Sequence, residues 1–505
     1  MPQKIRVALG RSDKWLVGST KTRKGRLMSA AWPQHFSPDV VRRTYGGGKL
    51  SSYCLALEAW RRGLQVTFYD ADLRIFGISD GTRRVVFNDS RPTSITKRSD
   101  YQKLIKKWDT KRLMEKEQVP VPRGRLLDTA ATSLNDLESI AAEIGYPLVI
   151  KPNGGTMGRG VFSNIPSWAE LSSSWNQLVE EIRAEEVLIE KHHSGDDYRI
   201  LVVGDKVVAA CLRVPANIEG DGTKSVEELI EDKNYSRKQN PFLSKGLIKI
   251  DYEVRQELKK NDMTLGSVPT DGQTVFLRRI ANASAGGDVI DVTEALPEAI
   301  KDAAIRAVAA IPNVVVAGVD VLYKTGEAAT PDTFTVIEMN SRPHIPVNMY
   351  PTQGTGQDVP KGMVDYFFPE SSRSEQPGDE LLNFDVRPLR AALRANVAGS
   401  VTLKALPPSH YPARYKYTFD EGASCLPITE SQKQELQKEA RQLNAAGSLE
   451  RRGKRLLLML AGPDRESLQP LREAAEEIIG IPASSVDEWR GVVTAGFRVP
   501  GTLLP

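Results

Sequence analysis

The sequence predicts a multidomain protein of the α/β (α+β) class. The chain has 505 residues, and at roughly 150 residues per domain this length suggests three or so compact units. Apolar strand-like runs alternate with amphipathic helical stretches across residues 126–370. Several of these runs are neighbours joined by tight turns such as "VGDK". This arrangement favours antiparallel or mixed sheets over a purely parallel sheet.

The composition excludes several classes of function. The 68 basic and 64 acidic residues leave a net charge of +4, which is too small an excess for a protein that coats nucleic acid. Three cysteines lie far apart without a CxxC pair, so neither a disulfide framework nor a zinc site is indicated. The sequence has no signal-peptide core and no run of about 18 apolar residues. We therefore expect a cytoplasmic protein with no nucleic-acid or membrane partner.

The elements of the first unit, residues 1–100, follow from the periodicity of the apolar residues. The stretch "SSYCLALEAWRRG" predicts a helix that begins after Ser and ends at Gly, while "LQVTFYDAD" and "RRVVFN" predict strands. The next stretch, "DYQKLIKKWDTKRLMEKEQ", predicts one lysine-rich helix that ends before "VPVP".

The second unit, residues 101–370, contains most of the predicted strands and one long helix, "EAIKDAAIRAVAAI". Its strands are "YPLVIKP", "GVFSNI", "EEVLIEKHH", the pair within "DYRILVVGDKVVAACLRVP", "TVFLRR", "VAGVDVLY" and "FTVIEMN". The polar stretch "PESSRSEQPGDE" then predicts a linker at about residues 371–385. A third unit, residues 386–505, has its own alternation of strands and helices.

A glycine-rich turn follows the strand "YPLVI". In "KPNGGTMGRGV", residues 151–161, four glycines allow backbone N–H groups to approach an anion, and Lys151 supplies a positive charge. This combination suits a polyphosphate, although a plain tight turn remains an alternative. The P-loop pattern GxxxxGK[ST] is not present.

Two acids and an amide interrupt otherwise apolar strands. Asp320 lies within "VAGVDVLY", and Glu338 and Asn340 share one face of "FTVIEMN" because side chains two apart on a strand point the same way. Buried carboxylates are costly unless positive charge accompanies them. These oxygen donors suit Mg²⁺ shared with nucleotide phosphates. The alternative is a pair of acids in salt bridges with Arg342 or Arg278.

The stretch "VLIEKHHSGDDYR" gives a weaker nucleotide signal. Glu190 begins a segment whose backbone can contact an adenine edge, and Asp197 lies where a carboxylate can accept ribose hydroxyls. A strand that ends in a solvated acidic turn is the alternative.

The order of these motifs, together with "RVPANIEGDGTKSVEELI" and "NASAGGDVIDVT", resembles the ATP-grasp superfamily over about residues 50–370. The chain is similar in particular to the ATP-grasp modules of cyanophycin synthetase and of bifunctional glutathione synthetase. This resemblance implies an ATP-grasp fold with a preceding pre-ATP-grasp α/β unit. Departures at Ile280 and Met157 leave the identity of the substrates open.

The resemblance also implies a set of site residues. The phosphate-contacting residues would be Lys107, Lys151, Gly155, Thr156, Gly158 and Gly160. Adenine and ribose would lie against Glu190, Lys191 and Asp197. Magnesium, or manganese in its place, would be held by Asp320, Glu338 and Asn340. The acyl phosphate and tetrahedral intermediate would be stabilised by Arg278, Asn282, Gly286 and Gly287, and a substrate carboxylate by Arg199 and Arg213.

The implied activity is an ATP-dependent carboxylate–amine ligase that joins amino acids or short peptides and releases ADP and phosphate. The cofactors would be ATP and Mg²⁺, and a homo-oligomer is left open. The alternatives are a thiol acceptor, a reaction that stops at the acyl phosphate, and a non-catalytic ATP-binding regulator. The tail resembles an acylphosphatase-like βαββαβ (ferredoxin-like) domain. Arg451 stands where that family has a catalytic Asn, so we expect no acylphosphatase activity.

Overall fold

The structure is a computed structural model that describes residues 30–45, 50–155, 159–407, 410–420, 428–453 and 455–499. Two predicted phosphate-contacting residues, Thr156 and Gly158, lie outside the described residues. No described helix combines the length and the apolarity needed to cross a membrane.

The first unit is an antiparallel sheet packed against a buried helix. Its elements are α1 (Pro38–Tyr45), α2 (Leu50–Arg61), β1 (Gln65–Phe68), β2 (Ile75–Ser79), β3 (Arg84–Asn88) and β4 (Arg91–Pro92). The helix and the strands predicted for β1 and β3 are confirmed. The sequence analysis missed β2, which pairs with β1 on one side and β3 on the other.

The lysine-rich stretch that follows forms two helices, so the prediction of one continuous helix is wrong. These are α3 (Arg98–Ile105) and α4 (Lys107–Lys116), and they are separated by Lys106 in an extended conformation with φ −86° and ψ 105°. The first N–H groups of α4 are satisfied from outside the helix. Lys107 N donates to the backbone carbonyl of Asn153 at 3.0 Å, and Trp108 N donates to the Asn153 side chain at 2.8 Å. The glycine-rich segment therefore provides the N-terminal cap of α4.

A four-stranded antiparallel sheet comes next, in the strand order β5-β8-β6-β7. Its elements are β5 (Gly124–Asp128), α5 (Leu134–Ile144), β6 (Leu148–Pro152), β7 (Phe162–Ile165), α6 (Trp168–Asn176) and β8 (Glu186–Lys191). Both helices bury apolar side chains such as Leu137 and Leu171 against it. The glycine-rich turn joins β6 to β7 at one edge of this sheet.

The central sheet is also antiparallel and has the strand order β13-β10-β9-β14-β15. The elements of this region are β9 (Asp196–Val203), β10 (Lys206–Val214), β11 (Asn217–Glu219), α7 (Val226–Gln239), α8 (Tyr252–Lys260), β12 (Thr274–Phe276), β13 (Asp288–Asp291), α9 (Glu298–Ala309), β14 (Val316–Tyr323) and β15 (Phe334–Asn340). Strands β14 and β15 match the predicted strands residue for residue. Strands β11 and β12 pair with each other and form a small core with α7 and α8.

The chain then returns to the first unit. The returning elements are α10 (Ile345–Met349), α11 (Val359–Phe367), β16 (Leu382–Asn383), α12 (Val386–Arg394) and β17 (Val401–Thr402). Strand β17 pairs with β1. Within the predicted linker, Arg373 Nη2 lies 2.6 Å from Glu58 Oε2 and 2.7 Å from Asp358 Oδ2. The domain division stays a prediction, but these contacts favour a later start for the third unit.

The last unit has the predicted βαββαβ order. Its elements are β18 (Ala413–Phe419), α13 (Glu430–Gln442), β19 (Ala446–Arg452), β20 (Arg455–Gly462), α14 (Gln469–Ile479) and β21 (Ser485–Glu488), followed by β22 (Val493–Thr494) and β23 (Phe497–Arg498). The sheet order is β21-β18-β20-β19-β23. Strand β22 leaves this sheet and pairs in parallel with β16, which connects the last unit to the first.

Phe384 packs against the first unit where the chain returns to it, and its substitution tests this packing. Its ring lies 4.9 Å from that of Tyr53 and 5.7 Å from that of Trp60, and the residue is 3% exposed. We expect Phe384→Ala to lower the free energy of unfolding by about 3–5 kcal/mol because it leaves a cavity, as measured by denaturant titration. Val397→Ala, at a residue 80% exposed, is the control and should change stability by less than about 0.5 kcal/mol. Equal stability of Phe384→Ala and wild type would contradict the described packing.

Candidate functional site

A buried carboxylate between two lysines lies at the edge of the four-stranded sheet. Glu190 Oε1 is 2.9 Å from Lys111 Nζ, and Glu190 Oε2 is 2.6 Å from Lys151 Nζ. All three residues are less than a tenth exposed. Burial alone would raise the pKa of Glu190, but the ion pairs with Lys151 and Lys111 outweigh it and hold this pKa below its usual range. The cluster keeps one excess positive charge.

The glycine-rich turn brings a third lysine towards the central sheet. Lys107 Nζ donates to the carbonyl of Gly155 at 3.1 Å and lies 3.6 Å from Glu338 Oε2. Gly155 and Gly160 have φ values of +131° and +74°, a region that glycine enters without strain. A predicted phosphate-contacting lysine therefore lies beside a predicted metal ligand.

Asn153 positions this turn and was not singled out in the sequence. Besides capping α4, its side-chain amide donates to Glu186 Oε2 at 2.9 Å, and the residue is 1% exposed. The available signal was an amide directly after an apolar strand in "KPNGG". Lys111 lies within the lysine-rich stretch "DYQKLIKKWDTKRLMEKEQ" and was likewise assigned no role.

The central sheet carries oppositely charged side chains on adjacent strands. Asp197 on β9 lies opposite Arg213 on β10, with Arg213 Nη2 2.5 Å from Asp197 Oδ1. Arg199 on β9 lies opposite Asp320 on β14 and donates to both of its carboxylate oxygens, with the Nη2–Oδ2 distance at 2.9 Å. Gly318 leaves room for this contact, since a Cβ there would come within 3.2 Å of the Arg199 side chain.

The pKa values of these groups reflect burial and charge together. Burial raises the pKa of Asp197 above its usual range despite the ion pair with Arg213, and the nearby Asp320 carboxylate contributes to the rise. Burial would lower the pKa of Arg213, but Asp320 and Asp197 raise it beyond its usual value. The sheet therefore places the carboxylates of Asp197 and Asp320 close together, with guanidinium groups between them.

The three predicted metal ligands lie together. Glu338 on β15 is the direct neighbour of Asp320 on β14, next to a bulge in the pairing of the two strands. Asn340 Nδ2 lies 3.4 Å from Asp320 Oδ2, which orients its amide towards the same carboxylate. Among the described residues no group of three or more His, Cys, Asp or Glu side chains is arranged for a metal. The set here has two acids and one amide.

This donor set fits Mg²⁺ or Mn²⁺. It offers hard oxygen donors from two carboxylates and an amide. Asp320 is 5% exposed and has guanidinium groups against both oxygens, whereas the Glu338 side chain is 36% exposed and its nearest cation is 3.6 Å away. Glu338 is therefore more accessible to a ligand than Asp320 is. The acids are paired with cations, as the alternative interpretation supposed, but their partners are Arg199, Arg213 and Lys107 and not Arg342 or Arg278.

Lys191 lies apart from the lysine–glutamate cluster. Its Nζ donates to the carbonyls of Gly145 at 3.0 Å and Tyr146 at 2.6 Å, just after α5. Consecutive residues of a strand point to opposite faces, so the side chains of Glu190 and Lys191 diverge. The nucleotide contact predicted for Lys191 remains a prediction, and in this geometry it would involve the backbone.

Arg278 and the loop after it lie beside the beginning of α8. The Arg278 guanidinium donates to the carboxylates of Asp251 and Glu253 and, through Nε, to the carbonyl of Ala285 at 3.1 Å. Asn282 Oδ1 accepts from the backbone N–H of Ser284 at 3.0 Å. These contacts hold the loop in a compact turn.

The two glycines of this loop lie against neighbouring backbone. Gly286 has φ +97°, and a Cβ at Gly287 would come within 2.8 Å of the carbonyl oxygen of Val214 at the end of β10. This close approach places the loop beside Arg213 on the same strand.

Arg237 on α7 anchors the loop and was missed by the sequence analysis. Its guanidinium donates to the carbonyls of Gly246 at 2.8 Å, Ala283 at 2.8 Å and Gly287 at 3.0 Å. The residue is 3% exposed, and burial lowers its pKa. Its role depends on three separate segments, so no local pattern reveals it.

The comparisons with known proteins agree with this architecture. Residues 105–223 match the model of a RimK-like ATP-grasp domain. The chain is 35% identical over 276 residues to a cyanophycin synthetase of Crocosphaera subtropica, covering 54% of this chain and 31% of that protein. It is 30% identical over 326 residues to the glutathione biosynthesis bifunctional protein GshAB of Desulfotalea psychrophila, covering 63% of this chain and 41% of that protein.

A solved structure extends the likeness. A bifunctional glutathione synthetase from Pasteurella multocida aligns with a TM-score of 0.53 and 26% identity, covering 65% of this chain and 44% of that chain. The fold is an α+β ATP-grasp fold, and the similarity to a RimK-like ATP-grasp domain extends over residues 105–223. The chain spans less than half the length of these relatives. The acylphosphatase-like resemblance of the tail is not confirmed by these comparisons.

Glu190→Ala tests the lysine–glutamate cluster. Removing the carboxylate leaves two lysines buried without their partner, so we expect the free energy of unfolding to fall by about 3–5 kcal/mol, as measured by denaturant titration at neutral pH. Because the folded-state pKa of Glu190 is lowered, its contribution is present above the unfolded-state pKa and is lost as the pH falls through the folded-state pKa. The difference between variant and wild type should therefore shrink in acid.

Glu115→Ala is the matched control for Glu190→Ala. It removes a partly exposed partner of Arg112 at 2.9 Å and should cost less than about 1 kcal/mol. Equal losses in the two variants would contradict the special position of Glu190.

Proposed function

We propose that this protein is an ATP-dependent carboxylate–amine ligase that joins amino acids or short peptides through an acyl phosphate and releases ADP and phosphate. The observation that carries the proposal is the convergence of Lys107 on both Gly155 and Glu338. One ammonium thereby links the candidate phosphate turn to the candidate metal ligands. The likeness to a cyanophycin synthetase and to glutathione-forming proteins supports a ligase. A cytoplasmic location belongs to the same proposal, which leaves the question of a homo-oligomer open.

The nucleotide roles follow from charge. Lys107 and Lys151 would neutralise the phosphates, with the backbone of Gly155, Thr156, Gly158 and Gly160 around them. The segment from Glu190 to Lys191 would border adenine, and Asp197 the ribose. Since Lys151 is paired with Glu190 at 2.6 Å, a bound phosphate would share this lysine with the carboxylate.

Asp320, Glu338 and Asn340 would hold Mg²⁺, or Mn²⁺ in its place. When bound, the metal supplies positive charge that neutralises and orients the nucleotide phosphates. In this chain Arg199 and Arg213 hold the Asp320 carboxylate in place, while the more exposed Glu338 remains open to a ligand.

The acyl phosphate explains how an unreactive carboxylate becomes an electrophile. A carboxylate oxygen of the first substrate attacks the γ-phosphorus of ATP and ADP leaves; the amine of the second substrate then attacks the acyl carbon, and phosphate leaves as the amine loses a proton. Arg278 and the backbone around Asn282, Gly286 and Gly287 would stabilise the developing oxygen charge. Arg199 and Arg213 would contribute to substrate carboxylate binding if their ion pairs opened.

Glu338→Ala tests the metal assignment. The Glu338 side chain is 36% exposed and its one ion pair with a described residue is at 3.6 Å, so we expect the variant to fold and to lose Mg²⁺-dependent ADP formation. The measurement is ADP release across a Mg²⁺ titration, with circular dichroism as the folding control. Glu327→Ala, in the exposed turn between β14 and β15, is the matched control. Normal Mg²⁺ dependence in Glu338→Ala would overturn the assignment.

A hydroxylamine trap tests the acyl phosphate. ATP, Mg²⁺ and each candidate amino acid are incubated with hydroxylamine in the absence of an amine acceptor, and hydroxamate and ADP are quantified. We expect both products with the correct carboxylate. We expect Arg278→Ala to lower their rate by about a hundredfold to a thousandfold, as for other lost donors to a developing oxyanion, while ATP still binds.

The products also separate the rival reactions. AMP and pyrophosphate would indicate an adenylate and overturn the acyl phosphate. Nucleotide binding with no turnover across all amino acids, dipeptides and thiol acceptors would favour the non-catalytic regulator. Lys301→Ala removes a cation on α9 that pairs with Glu298 of the same helix; it is the control for Arg278→Ala and should leave the rate unchanged.

A further inference from the structure

A cavity of about 360 Å³ lies between the first unit and the loop that follows Arg278. The charged and hydroxyl-bearing residues that matter here come from five separate segments of the chain and are Arg74, Asp89, Ser90, Lys245, Ser284 and Arg342. The sequence motifs predicted a role for none of them except Arg342, which was considered as a salt-bridge partner of the buried acids.

The cavity has more positive than negative charge. Arg74 Nη2 lies 3.4 Å from Asp89 Oδ2, the single acid of the lining. Arg342 and Lys245 are exposed and have no acidic partner in the described part of the chain. The Nε of Arg74 is buried without a hydrogen-bond partner among the described atoms, so an acceptor is missing. Three cations against one carboxylate leave an unbalanced positive field.

A further arginine strengthens this field. Arg91 lies close enough to Arg342 for their positive charges to repel each other. Burial lowers the pKa of Arg91, and the positive charge of Arg342 lowers it further. The Arg91 guanidinium packs on the Tyr101 ring at 4.3 Å and has no carboxylate partner in the described chain. Repulsion between neighbouring guanidinium groups is relieved by an anion between or beside them.

The cavity borders both halves of the proposed active site. Ser284 belongs to the turn held by Arg278 and Asn282. Arg342 follows the candidate metal ligand Asn340 by two residues, and Ser90 Oγ donates to the carbonyl of the next residue, Pro343, at 2.8 Å. A ligand here would be adjacent to the loop and to the end of β15.

We propose that this cavity binds the non-reacting carboxylate of an amino-acid or dipeptide substrate, with Arg342, Arg74 and Lys245 around the carboxylate and Asp89 near an ammonium group. This inference rests on the proposed ligase function and names the substrate site that the function requires. Arg199 and Arg213 could bind a carboxylate only if their ion pairs with Asp320 and Asp197 opened, whereas Arg342 and Lys245 in the cavity have no ion pair to break among the described residues. The volume is within the range of small-molecule sites.

Calorimetric titration of the full-length protein tests the proposal. Each L-amino acid, and a panel of dipeptides, is titrated in the presence of Mg²⁺ and a non-hydrolysable ATP analogue, together with the matched C-terminal amide and with inorganic phosphate. We expect at least one amino acid or dipeptide to bind. Its amide should bind about tenfold more weakly or worse, since a charge-assisted hydrogen bond is lost.

Variants locate the binding site. Arg342→Ala should weaken binding of that ligand by about tenfold or more, and Arg342→Lys should restore part of it. Arg342 makes no hydrogen bond among the described contacts, so the fold does not depend on it. Arg490→Ala is the matched control because its side chain is 83% exposed on the last unit, and it should leave binding unchanged.

The outcomes separate this inference from the proposed function. Binding of no amino acid or dipeptide, equal affinity for acid and amide, full affinity in Arg342→Ala, or displacement of the ligand by inorganic phosphate at equal concentration would each overturn the cavity assignment. If hydroxamate forms while Arg342→Ala binds normally, the ligase function stands and the cavity assignment fails. If the amino acid binds through Arg342 while no ADP forms, the cavity assignment stands and the ligase function fails.

Discussion

The requirement that buried carboxylates be paired with cations governs the structure around the candidate site. Asp320, Asp197 and Glu190 are each held against guanidinium or ammonium groups at hydrogen-bond distance. Removing charges from water is expensive, and these buried acids are tolerated because a cation lies against each of them. The antiparallel order β10-β9-β14-β15 supplies these cations in the central sheet, because it places arginine-bearing strands beside acid-bearing ones.

This pairing also shapes how the protein meets a polyphosphate. Lys151 is already bound to Glu190, and Lys107 is shared between a carbonyl and a carboxylate. An incoming anion therefore enters a site whose cations are already oriented, and it exchanges partners with them. Orientation in advance lowers the entropic cost of binding, while competition from the internal carboxylates limits the affinity gained from each lysine.

The sequence was sufficient where the signal is local. The strands β14 and β15 were predicted to the residue because their apolar runs are long and bounded by polar turns, and Asp320, Glu338 and Asn340 were brought together as expected. It was insufficient where a contact depends on distant segments. The break at Lys106 arises from hydrogen bonds to Asn153, the anchoring of the loop arises from Arg237, and the partners of Asp320 depend on strand register. Strand β2 was missed because its run "IFGIS" is short and contains glycine.

The pairing of β17 with β1 has a consequence for how the chain assembles. Thr67 and Thr402 are cross-strand neighbours whose hydroxyl oxygens lie 2.9 Å apart, although 335 positions separate them in the chain. On a ribosome that adds about 5–20 residues per second, the first sheet waits on the order of tens of seconds for its edge strand. During that interval β1 presents an unpaired edge to other nascent chains. The sheet that contains β1 is thus completed only after the central sheet has been synthesised.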